Sequence, residues 1–183
     1  MASLKSLAGA ALFTTLFFSA PASAQSNNSA DCVLKIFPKD LQDSLASDFI
    51  KNKADHSHQI SDVLMTIFKG DAEKCQKDNA WSDNKKVKLV KYSLNYIVAN
   101  LTLTNHGYKQ NMINDMLKYF ESNEINLAKL HHYTKDEKDN LSKTYVTNGW
   151  VLSTTPAGLD AAHDSQEWLA VVVDWKRAFA AAS

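Results

Sequence analysis

Between Lys85 and Thr104 the sequence KKVKLVKYSLNYIVANLTLT places apolar residues on two opposite sides of a helix. At 100° per residue, Val87, Val90, Leu94, Ile97, Val98 and Leu101 share one face. Leu89, Tyr92, Tyr96, Ala99 and Leu103 share the other. Two narrow polar seams separate them, one of Lys88, Lys91, Asn95 and Thr102, the other of Lys86, Ser93, Asn100 and Thr104. A helix that is apolar on both sides must be covered from both, which puts residues 85–104 at the centre of a helical bundle.

The remaining pattern supplies the covering helices. After Pro38, whose fixed φ suits a first turn, Leu41, Leu45, Phe49 and Ile50 form a stripe that ends near Lys51. Ser57 is placed to cap the next helix, and Ile60, Val63, Leu64, Ile67 and Phe68 mark its face. Ala72 and Cys75 continue that side past Gly70, so this helix is expected to reach Gln76. Past the central helix, Gly107 suits a left-handed terminating residue, and Met112, Ile113, Met116, Leu117 and Phe120 define a helix over 109–121. A short helical piece is expected around Ile125, Ala128 and Leu130. Thr134 and Glu137 match a capping box, Leu141 and Tyr145 carry the stripe that follows, and Asn148-Gly149 stops it. The last helix begins at Pro156 or Leu159 and runs to Ala181, with Ala161, Ser165, Trp168, Val171, Val172, Trp175 and Phe179 inward. No alternating stretch of strand length interrupts this. The chain reads as all-α, a single-domain bundle of five to seven helices.

The first residues carry a different pattern. Lys5, the apolar run from Leu7 to Phe18 and the small residues Ala22-Ser23-Ala24 make residues 1–24 a secretory signal peptide. Its apolar run of about 12 residues is too short to span a bilayer. Residues 25–37 read as a polar leader and a short pinned segment, and residues 38–183 as the helical domain. An exported, periplasmic or secreted location follows, and Cys32 and Cys75 are then expected to form one disulfide rather than a reactive thiol pair. No later segment is apolar enough to span a membrane.

Charge changes the picture by exclusion. Twenty basic and twenty acidic residues balance, and every basic residue except Arg177 is lysine. Arginine is the side chain suited to bidentate phosphate and base contacts, so a nucleic-acid partner is not expected.

Candidate chemistry is sparse. On the last helix Asp160, His163 and Glu167 lie at i, i+3 and i+7 on one side, with Asp174 beyond them. An oxygen, nitrogen and oxygen set over two turns could meet one divalent ion, although a bundle metal site draws matching ligands from other helices and the central helix offers none. His56 with His58, and His131 with His132, are pairs at helix ends or loops, where histidine also serves capping and dipole contact. Nucleophile-elbow, zinc-protease and phosphate-loop motifs are absent, and five glycines leave little for phosphate-cradling loops. Glu121, Glu124 and Glu137 are the glutamates outside the last helix available for acid–base work.

Four tryptophans and six tyrosines exceed what a small helical core needs. Most of these rings are expected as core and rim, with Trp81 the apolar anchor of its connection and Trp150 packed in an extended apolar link; Trp81, Trp150, Tyr108 and Tyr133 are also the candidate binding residues, since amphipathic rings favour partner and ligand surfaces. The expectation is an exported, non-enzymatic helical binding protein for a protein or small apolar ligand, for instance an inhibitor or immunity-type partner of a secreted enzyme. No cofactor is expected. The alternatives are a small metal-dependent hydrolase using Asp160, His163 and Glu167, and a structural envelope protein.

Overall fold

The computed structural model describes residues 29–55 and 59–183. The expected signal peptide, and Ser57 with its flanking His56 and His58, lie outside the described residues. Eight helices follow in order: α1 Cys32–Ile36, α2 Lys39–Ala54, α3 Asp62–Asp78, α4 Asp83–Asn105, α5 Gln110–Ser122, α6 Leu127–His131, α7 Lys135–Thr147 and α8 Pro156–Ala181. No strand occurs among the described residues. Seven of these helices correspond to the predicted stripes. The eighth, α1, falls in the segment read as a pinned run, where five residues are too few to show periodicity.

Helix α4 is the centre of the bundle, lying against α8, α2, α3, α1 and α5. Its two sides are covered unequally. Leu89, Tyr92, Ala99 and Leu103 of one face are buried, as are Ser93 and Asn100 from a seam expected to be polar, whereas the other face buries Ile97 and Val98 and leaves Val87 exposed. Small residues on α8, namely Ala161, Ala162, Ser165 and Ala170, are buried and let its backbone approach α4 closely. Trp168 and Trp175, expected to be inward on α8, are only half-buried. Lysines cover their outer faces: Lys53 Nζ lies 5.3 Å from the Trp168 ring centroid, and Lys88 and Lys91 lie 5.6 and 4.6 Å from that of Trp175. Lysine stems screen apolar rings while the ammonium heads stay in water, which closes the outer seam of the bundle.

Local chemistry fixes the helix ends. Ser61, four residues beyond the expected cap, accepts from the Leu64 amide to start α3. Ser82 accepts from Lys85 at the head of α4. Thr134 and Glu137 form the predicted capping box, with reciprocal bonds of 2.8 and 3.3 Å. Four helices then end in one hydrogen-bond pattern. In α3, α4, α5 and α7 the amides of Trp81, Tyr108, Ile125 and Trp150 reach back to the carbonyls of Gln76, Leu103, Phe120 and Tyr145 at 2.8–3.0 Å. The residue before each has positive φ: Ala80 at 51°, Gly107 at 101°, Glu124 at 54° and Gly149 at 68°. This is the Schellman ending, which satisfies terminal carbonyls and folds the following apolar side chain back onto the helix it closes.

The disulfide is present. Cys32 on α1 and Cys75 on α3 are bridged with Cα atoms 6.1 Å apart, and both are buried. Gln42 of α2 secures the other end of α1 by donating to the carbonyls of Leu34 and Phe37 at 3.1 and 2.8 Å.

Candidate functional site

The Schellman endings account for three of the four aromatic residues singled out from sequence. Trp81, Tyr108 and Trp150 are the residues that fold back, and all three are buried. Trp81 packs edge-on against Phe179 with centroids 5.0 Å apart. Trp150 meets Tyr119 and Tyr145 edge-on at 5.6 and 5.3 Å. Tyr133 alone is half-buried at the surface, its phenol raised above the ordinary range by burial and by the Glu137 carboxylate. These rings are core and rim, and the structure does not gather the four of them into one exposed patch.

The carboxylates and histidines are dispersed as well. His163 Nε2 lies 3.7 Å from Glu167 Oε1 on the exposed side of α8, and Asp160 is exposed one turn earlier. No group of three His, Cys, Asp or Glu side chains suited to a metal ion converges among the described residues. Asp174 accepts from the Leu127 amide at 3.1 Å and ties the start of α6 to α8. Glu121 pairs with Lys176 at 2.5 Å, and Glu137 is committed to its capping box, whose two bonds from Thr134 hold its carboxyl below the usual range.

One concavity does collect residues from the predicted list. A groove of about 530 Å³ lies between α7 and α8, with Leu130 and His131 of α6 contributing to its wall. Each long helix gives it an i, i+3, i+4, i+7 stripe: Lys138, Leu141, Ser142 and Tyr145 from α7, and Leu159, Ala162, His163 and Gln166 from α8. Leu130, Leu141, Tyr145 and Ala162 are its buried apolar members. Val146 and Leu159 also line it and are 68% and 53% exposed, so two apolar side chains stand together at its rim. His131, His163, Lys138 and Glu167 supply the polar part of the lining.

The floor is rigidly held. Tyr145 Oη and Ser165 Oγ are hydrogen-bonded at 3.1 Å inside the core, and Ser165 also bonds the Ala162 carbonyl at 2.7 Å. Burial keeps the Tyr145 phenol above its ordinary range, so it stays a neutral hydrogen-bonding group at physiological pH. An arrangement of this kind can desolvate an apolar body against Leu141 and Ala162 while a polar end meets the histidines, Lys138 or Glu167. Sequence reasoning found His163 and Glu167 but missed the groove. The available signal was the second apolar stripe of α8, Leu159 and Ala162 beside His163, which lies off the tryptophan stripe.

The chain matches no protein-family model, no curated protein and no solved structure.

Proposed function

We propose that this is an exported, non-catalytic helical binding protein whose α7–α8 groove receives a slender apolar ligand. The observation that carries the reading is the pair of exposed lips, Val146 and Leu159, beside a buried apolar floor. At about 530 Å³ the groove falls in the size range of small-molecule sites, which are mostly apolar with a few polar groups that set orientation. Export rests on the pattern of residues 1–24 and agrees with the Cys32–Cys75 bridge, a bond that persists in oxidising compartments. An inhibitor or immunity-type partner would use the same lips to take an inserted side chain of another protein. The hydrolase alternative would need a third ligand or a base brought to His163 and Glu167.

The test is a methyl NMR titration with dodecanoic acid. Shifts at Leu141, Val146, Val151 and Leu159 are expected, together with a loss of affinity of about tenfold or more in Val146→Asp/Leu159→Asp, where charge replaces apolar contact. Methyl resonances unmoved at millimolar dodecanoic acid would overturn the small-ligand reading.

A further inference from the structure

A second concavity, sharing no residue with the first, is built from different chemistry. Asn100 sits in the C-terminal part of α4 at 8% exposure, and a carboxamide buried there needs partners. Its Nδ2 donates to Gln110 Oε1 at 3.0 Å, and Gln110 Nε2 donates onward to Asn114 Oδ1 at 3.1 Å. The three amides form a chain from α4 to α5 with an acceptor open at the Asn100 end and a donor open at the Asn114 end. Reversing all three amides would exchange the two ends and leave the same pair of open groups.

These side chains line a cleft of about 730 Å³, together with Asp31, Tyr96 and Gln42. The Asp31 carboxylate accepts from Tyr92 Oη at 2.7 Å. Three of its charged groups are already matched: Glu121 and Lys176 by each other, and Lys39 by Asp43, both pairs at 2.5 Å. Lys35 and Lys118 are exposed. Leu34, Phe37 and Leu117 supply an apolar lining between the polar groups.

We infer that this cleft is a binding site for a neutral, polyhydroxylated ligand, a short oligosaccharide. The amide chain leaves a neutral acceptor at Asn100 and a neutral donor at Asn114, and a hydroxyl is the ligand group that can meet either. With the other amide atoms engaged in the chain, the Asn100 oxygen and the Asn114 nitrogen are each left for one hydroxyl of a sugar, Asp31 keeps a second carboxylate oxygen beside the one that Tyr92 bonds, and the apolar lining takes the ring's C–H face. A free anion is disfavoured because no lysine is buried in the cleft to hold it. A peptide would present its donors and acceptors along an extended backbone, and this cleft offers side-chain amides rather than an open strand edge to pair with it.

The side-chain amide resonances of Asn100, Gln110 and Asn114 report directly on the site. They should be followed by NMR during titration with maltotriose, cellotriose and triacetylchitotriose, and with trialanine in parallel. At least one trisaccharide is expected to shift all three amide pairs, with trialanine inert. Asn114→Ala, at the exposed outer end of the amide chain, keeps the bond between Asn100 and Gln110 and should weaken that binding about tenfold with thermal unfolding unchanged. No shift with any of the three sugars at millimolar concentration would overturn the proposal, and so would shifts with trialanine alone, which would make the cleft a peptide site.

Discussion

Ala80 and Glu124 hold left-handed backbone conformations that L side chains occupy at a cost, in the same motif where Gly107 and Gly149 occupy them freely. Ala80→Gly and Glu124→Gly are each expected to stabilise the fold by about 0.5–1 kcal/mol, the relief of strain exceeding glycine's extra unfolded-state entropy. Gly107→Ala and Gly149→Ala should destabilise it by about 1 kcal/mol. Urea unfolding of the four variants checks the signs, and equal effects at all four positions would contradict the shared motif. The same motif explains how far single residues could be read from sequence. Gly107 and Gly149 were legible as terminators because glycine announces positive φ. Ala80 and Glu124 were not, because there the conformation is imposed by the docking of Trp81 and Ile125. The burial of Trp81, Tyr108 and Trp150 agrees with their reading as core and rim, while the place where each packs was not legible for a related reason. A residue that folds back after a helix end belongs to no helical stripe, yet it packs on the core as firmly as one that does. Two tyrosines carry the clearest pH dependence. Burial raises the Tyr92 and Tyr145 phenols, and the Asp31 carboxylate adds to the effect at Tyr92. The unfolded chain loses these protons near pH 10 while the folded chain keeps them, so their stabilisation is complete below about pH 10 and declines above it. Tyrosinate absorbance from these two residues should therefore appear together with the loss of helical circular dichroism, and ionisation before any loss of helix would contradict their burial.

At the scale of elements, α1 shows what periodicity cannot supply. An isolated helix of five residues does not persist in water, and this one is held by Cys32–Cys75 on one side and by the Gln42 amide on the other. The bridge closes a loop with a sequence separation of 43, which corresponds to about 4 kcal/mol in the chain-entropy model. Cys32→Ser/Cys75→Ser is expected to lose roughly 2–4 kcal/mol and to release the α1 amides to hydrogen exchange before those of α4. A loss under about 0.5 kcal/mol would show that packing, and not the bridge, holds α1. The long helices were legible because their stripes and caps agree, as with the capping box of α7 and the glycine ending of α4. The inward face of α8 holds as expected at Ala161, Ser165, Val172 and Phe179, which are buried, and Trp168 and Trp175 pack half-buried at its border. Lysine stems from α2 and α4 cover Trp168 and Trp175, and a lysine reads from sequence as solvent-facing. The groove was missed because α8 buries a second side, with Ala162 and Leu169, beside that face and leaves Leu159 at a lip.

At the scale of the molecule, the bundle joins a disulfide-pinned N-terminal region to two concavities of opposite character. No helix among the described residues is long and apolar enough to cross a membrane. The α7–α8 groove is apolar with histidines at its edge, while the cleft between α1, α4 and α5 mixes amides with charged and apolar side chains. Neither was visible as a site in the sequence, because each depends on which helix faces meet and not on spacing within one helix. The most direct test of the binding reading is native mass spectrometry, with metal analysis on the same sample, of the protein purified from the cells that produce it. A stoichiometric small apolar adduct is expected on the natural sequence and is expected to be absent from Val146→Asp/Leu159→Asp. An adduct that survives in that variant, or a stoichiometric divalent ion lost with His163→Ala, would contradict the account and move the chemistry to the exposed face of α8.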